Sequence, residues 1–95
     1  MKNYFVYILR CSDGSYYTGH TSDIDSRLAQ HQQGIVDCYT LSRRPVVLVF
    51  NEQFCSKGDA FAWERQIKGW SRKKKEALIN RDWKLLSLLS KSKNI

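Results

Sequence analysis

"YFVYILRCSDGSYYTGH", residues 4–20, decides the fold of this chain. Residues 4–11 are rich in β-branched and aromatic side chains and apolar on both faces. That is the pattern of a central strand rather than an edge strand. Ser12-Asp13-Gly14 interrupts the run and Tyr16–Thr21 returns, so the two runs form a hairpin. A three-residue loop with glycine in the left-handed position is a common hairpin, a type I turn followed by a bulge, and Gly14 fits that position. Cys11 then faces Ser15, Leu9 faces Tyr17 and Tyr7 faces Gly19. Tyr7 and Tyr17 become diagonal neighbours on one face, with open space opposite Tyr7 at Gly19. A two-residue loop would send the two phenols to opposite faces. Four tyrosines fall within 14 positions here, and a buried phenol needs a hydrogen-bond partner.

The rest of the chain supplies candidates for that partner. Ser22 reads as a helix N-cap with Asp25 as its capping-box residue, and the helix stops at Gly34, a favourable residue just past a helix end. Residues 35–44 are irregular and polar. Pro45 opens a buried strand, Val46 to Phe50, at the first position where proline is tolerated. Ser56 with Asp59 starts a helix that ends at Gly69. Ser71 starts another through about Asn80, and a last helix spans about 82–90. The order is β-β-α-β-α-α. Strand three then pairs antiparallel with strand one, giving an α+β fold: a three-stranded antiparallel sheet, order 2-1-3, flanked by helices.

At 95 residues the chain reads as a single domain, with a core over about 4–80. It buries roughly 60–65% of the surface its unfolded form exposes. No run of 18 apolar residues occurs, so no membrane span is expected, and the N-terminus is too short and strand-like for a secretory signal. Cys11, Cys38 and Cys55 are widely spaced without a CxxC pair, which suggests neither a zinc site nor a disulfide framework. Reduced thiols in a cytoplasmic protein fit them. Sixteen Lys and Arg against nine Asp and Glu give a charge of +7. That suits a polyanionic partner, nucleic acid above all, and also serves solubility.

Three side chains stand out. Ile24, Leu28 and His31 share one helical stripe, with Arg27 at its edge and one turn before His31. Taken singly, His31 reads as a satisfied core histidine and Arg27 as half of a surface ion pair. Glu64 falls between Ala60, Phe61 and Ile67 on an apolar stripe, where a carboxylate is rarely left unpaired. Either it pairs with a basic side chain such as Arg27, or it lines a cleft and binds a metal.

Together these residues resemble the GIY-YIG nucleases. The first triplet reads Phe5-Val6-Tyr7 and the second Tyr17-Thr18-Gly19. An Arg follows ten residues after the second Tyr, at Arg27, then His31, then Glu64 on a later helix. YTGHTSDIDSRLAQH, RRPVVLVF and WERQIKGWSRKKKEALI are similar to the small single-domain bacterial members. Phe5 and Thr18 depart from the triplets without altering a catalytic side chain. His20 stands where some repair nucleases of the family carry Lys.

The resemblance implies a divalent-metal-dependent endonuclease that hydrolyses phosphodiester bonds in DNA, with a role in DNA repair. Tyr7 and Tyr17 would share the roles of general base and phosphate positioning, and Arg27 would bind the phosphate. His31 would orient the nucleophile or contact the phosphate, and Glu64 would hold Mg²⁺ or Mn²⁺. A non-catalytic nucleic-acid-binding module on the same scaffold is the alternative. Arg72, Lys73 and Lys74 open a helix where positive charge opposes its dipole. With His20, Arg43 and Arg44 they are candidates for nucleic-acid contacts. Trp63, Trp70 and Trp83 could stack on bases, although helix positions 63 and 70 read more naturally as packing. The chain has no room for the added DNA-binding domain of larger members. It would recognise structure or ends, or take its specificity from a protein partner.

Overall fold

The computed structural model of the chain describes residues 3–35 and 38–92. Its sheet holds three antiparallel strands, β1 (Tyr4–Arg10), β2 (Tyr16–Thr21) and β3 (Val47–Phe54), in the expected order β2-β1-β3. The helices are α1 (Ile24–Gln33), α2 (Cys38–Leu41), α3 (Lys57–Lys68), α4 (Arg72–Ile79) and α5 (Trp83–Ser92).

β1 is central because both of its faces are apolar. Val6, Tyr7, Ile8 and Leu9 are each no more than 2% exposed. Val6 and Ile8 pack with Phe50 and with Ala60, Ile67 and Leu78 from α3 and α4. Tyr7, Leu9 and Cys11 pack on the other face with Val46 and with Ile24 and Leu28 of α1. Each fully buried aliphatic side chain contributes ~1.5–3 kcal/mol. Both faces are therefore covered.

The hairpin has the expected register. Leu9 opposes Tyr17 and Tyr7 opposes Gly19. Gly14 has φ 84°, its N–H donates to the Cys11 carbonyl at 2.9 Å, and the Cys11 N–H donates to the Ser15 carbonyl at 2.8 Å. The space opposite Tyr7 is filled by the tyrosine itself. A Cβ on Gly19 would lie 2.5 Å from the Tyr7 oxygen.

Several boundaries differ from those expected. Asp23, not Ser22, caps α1, its carboxylate accepting from the Ser26 N–H at 3.1 Å. The Thr21 hydroxyl accepts the Asp23 N–H and so delays the helix by one residue. Residues 35–44, expected to be irregular, contain the single turn α2. β3 starts and ends later than Val46–Phe50, because Asn51, Glu52 and Gln53 continue it in register with β1. These three are exposed along the sheet edge, so their polarity hides the strand in the sequence. Pro45 precedes β3 rather than opening it. Ser56 and Ser71 cap α3 and α4 as expected. Among the described residues, no helix is long and apolar enough to cross a membrane.

Candidate active site

Strand alternation divides the candidate residues between the two faces of the sheet. Tyr7 and Tyr17 share the face covered by α1. His20 opposes Val6 in the register and so lies on the other face, beneath α3.

On the α1 face the phenols find their partner. The Tyr7 hydroxyl is hydrogen-bonded to His31 Nε2 at 2.9 Å, and His31 Nδ1 to the Thr40 hydroxyl at 2.9 Å. Tyr7 is 2% exposed, and His31 and Thr40 are fully buried. Tyr17 lies beside them, its ring centroid 6.4 Å from Tyr7 and 5.2 Å from His31. It is half-buried and stacks at 6.0 Å on Tyr39, which carries the Arg43 guanidinium 4.1 Å above its ring. An aromatic series thus runs from the buried Tyr7 to the surface. The fourth hairpin phenol, Tyr16, belongs elsewhere. It donates to Glu76 at 3.1 Å, and burial, then that bond, push it up from its ordinary pKa.

On the α3 face Glu64 is 5% exposed. One of its oxygens is paired with His20 Nδ1, and the other with Lys68 Nζ at 2.8 Å. The basic partner of Glu64 is therefore not Arg27. The i, i+4 spacing places Lys68 within reach, and the β2 register brings His20. Phe61, expected on the buried stripe, is 46% exposed. It packs edge-on against His20 with ring centroids 5.7 Å apart. His20 is held by Glu64 and Phe61 rather than facing freely into solvent.

Arg27 connects the two faces. It walls an apolar recess with Tyr7, Leu9, Ile24, Leu28 and Leu48. It also lines a polar recess of about 200 Å³ with Tyr4, His20, Thr21, Ser22 and Lys57. That second recess presents Arg27, Lys57 and His20 and contains no carboxylate in its wall, which suits a phosphate. Among the described residues no acidic group pairs with Arg27.

The other basic candidates are mostly engaged. Arg43 pairs with Asp13 at 3.0 Å, and Arg44 donates to the carbonyls of Leu41 and Gln32. Arg72 pairs with Glu76 and donates to the Gly14 carbonyl at 2.7 Å. Lys74 is 8% exposed with its ammonium 4.3 Å from the Trp70 ring centroid, so its charge faces an indole rather than open solvent. Lys73 is exposed. Trp70 is buried in the link between α3 and α4 rather than on a helix, whereas Trp63 is 41% exposed and packs on Trp70 and Phe54. The candidate set omitted Thr40, Lys57 and Lys68. Lys57 carried the same signal as Arg72, a cation opposing a helix N-terminus. Thr40 carried none, because it lies on a single helical turn too short to show periodicity.

The GIY-YIG catalytic domain model matches residues 3–77. The chain belongs to the GIY-YIG family. Among its GIY-YIG relatives, UPF0213 protein BH0048 of Halalkalibacterium halodurans is 47% identical over 78 residues, covering 82% of this chain and 83% of that protein. UPF0213 protein SH2523 of Staphylococcus haemolyticus is 46% identical over 79 residues, covering 83% and 96%. The solution structure of BH0048 matches with a TM-score of 0.55 over 82% of this chain and 83% of the other. That of protein EF2693 from E. faecalis matches at 0.60, with 35% identity over 85% and 86%. Helix α5 lies beyond the GIY-YIG match.

The family implies a divalent metal, and Glu64 fits one. Among the described residues no three His, Cys, Asp or Glu side chains are grouped to hold an ion. Mg²⁺, however, keeps most of its waters and takes only one or two carboxylates plus substrate phosphate. Glu64 supplies one carboxylate. Lys68, which occupies one of its oxygens, is half exposed.

Proposed function

We propose that this protein is a metal-dependent endonuclease acting on nucleic acid, with DNA as its principal substrate. The observation that carries the reading is the Tyr7–His31 hydrogen bond, with Tyr17 beside it. An unperturbed phenol titrates near 10 and is a weak base at neutral pH. A buried imidazole acceptor is the kind of group that draws its proton away. Tyr7 and Tyr17 therefore share the activation of water and the positioning of the scissile phosphate. Arg27, facing both recesses, binds the phosphate and opposes the charge that develops in the transition state. Glu64 holds Mg²⁺ or Mn²⁺. When bound, that ion neutralises phosphoryl charge and lowers the pKa of a coordinated water. Lys57 and His20 extend the anion-binding wall around Arg27.

One observation favours the alternative of a binding module that does not cleave: both carboxylate oxygens of Glu64 are already engaged. A cleavage assay on supercoiled, single-stranded, branched and RNA substrates decides between the two, with and without Mg²⁺ or Mn²⁺. The nuclease reading expects metal-dependent cleavage that Glu64→Gln abolishes while binding persists. The partners of Glu64 both reach solvent, so this substitution costs only about 1 kcal/mol of stability. Retained cleavage by the folded variant would remove Glu64 as the metal ligand, and absence of wild-type cleavage on every substrate would favour the binding module.

A further inference from the structure

We infer that Thr40 is a positioning residue that fixes the tautomer of His31, and that Tyr7 is the phenol His31 activates. The inference deepens the nuclease reading and rests on it for its catalytic consequence. A neutral imidazole has one N–H donor and one lone-pair acceptor, and whichever bond one nitrogen makes decides the role of the other. Burial disfavours the doubly protonated ring, and His31 is fully buried. Both of its nitrogens are engaged at 2.9 Å, Nε2 by Tyr7 and Nδ1 by Thr40. Two arrangements satisfy these bonds. Either Tyr7 donates to Nε2 and the Nδ1–H donates to Thr40, or both donors are reversed.

Acid strength selects the first. A phenol is a far stronger acid than an aliphatic alcohol, so the phenol proton is the one that goes to an imidazole lone pair. Thr40 is suited to accept, because a hydroxyl carries acceptor lone pairs whichever way its proton turns. Its oxygen then offers a lone pair to the Nδ1–H. In the reacting complex the Tyr7 proton moves from its oxygen to Nε2. This leaves a phenolate on β1 and an imidazolium whose Nδ1–H still rests on Thr40. The phenolate takes a proton from the attacking water and is thereby restored to phenol; after cleavage the phenol releases that proton to solvent, and the Nε2 proton returns along the hydrogen bond to the Tyr7 oxygen. Tyr17, half-buried and stacked on Tyr39, is left to position the phosphate.

This assignment gives α2 a purpose. The turn α2 brings one hydroxyl to the far side of His31, and without it the ring could adopt either tautomer.

The test uses ¹⁵N NMR of the imidazole rings in the full chain, which has only two histidines, together with single-turnover cleavage. The wild type is expected to show His31 protonated at Nδ1. Thr40→Val, nearly isosteric, should give a mixed or Nε2–H population and slow cleavage by about 10- to 100-fold with little change in substrate affinity. Thr40→Ser should restore both. A wild-type His31 protonated at Nε2 would overturn the inference, and so would an unchanged tautomer in Thr40→Val. The NMR result stands whether or not any substrate is cut, so failure of the nuclease reading would be seen separately, as wild-type inactivity.

Discussion

Replacing Gly19 by alanine tests the placement of the Tyr7 phenol directly. The added Cβ would lie 2.5 Å from the Tyr7 oxygen, 2.7 Å from Cζ and 3.1 Å from Cε2. Ordinary contact begins at 3.4 Å, so the phenol must retreat by about 0.9 Å. Tyr7 is 2% exposed and has little slack, and the retreat displaces its oxygen from the position that makes the 2.9 Å bond to His31. Overpacking costs ~1–3 kcal/mol and the lost bond about 1 kcal/mol more. At roughly 4–8 °C per kcal/mol for a domain this small, the melting midpoint should fall by about 10 °C or more. Cleavage should fall ~100-fold, the usual penalty for misplacing a reacting group by about an ångström. Gly14→Ala is the control. Gly14 has positive φ with nothing within 4 Å of an added Cβ. It should lose ~1–2 kcal/mol to backbone strain and keep its cleavage rate. A Gly19→Ala protein that melts and cleaves like the wild type would refute the packing of Tyr7 against β2.

Two further outcomes are expected. The Asp13 carboxyl is held below the usual carboxylate range, chiefly by the Ser15 hydroxyl, and that of Asp23 chiefly by the Ser26 N–H. A depressed native pKa means stability present above the unfolded value near 4 and lost as pH falls through the native one. Thermal melts should therefore drop on acidification below about pH 4, and less steeply in Asp23→Asn. Equal slopes in the two proteins would refute the cap. Nucleic-acid affinity should fall steeply with salt, and Lys57→Ala should reduce the log–log salt slope by about 0.9, the value of one phosphate contact. An unchanged slope would take Lys57 out of the interface.

Most of the scaffold was legible because short-range chemistry sets it. The Ser12-Asp13-Gly14 loop fixed the register, and the doubly apolar β1 had to be central. The Tyr7–Tyr17–His31 side of the candidate site followed from that register and from the α1 stripe. The Glu64 side did not. Its partners depend on which face of the sheet α3 covers, and strand alternation alone does not reveal that His20, rather than Arg27, reaches the carboxylate. Thr40 and the outer half of β3 were hidden for a simpler reason. A single turn has no period to detect, and an edge strand need not be apolar.

Arg27 stands at the β2 margin with one flank toward the tyrosine side and the other toward the His20–Lys57 recess. A polyanion seated in the His20–Lys57 recess and reaching toward the tyrosine side must round that margin rather than lie along a flat surface. Intact duplex DNA resists such a turn, being stiff over about 50 nm. Frayed ends, flaps and branch points bend freely. On the nuclease reading, discrimination among substrates therefore begins with the flexibility of the nucleic acid, before any base is read.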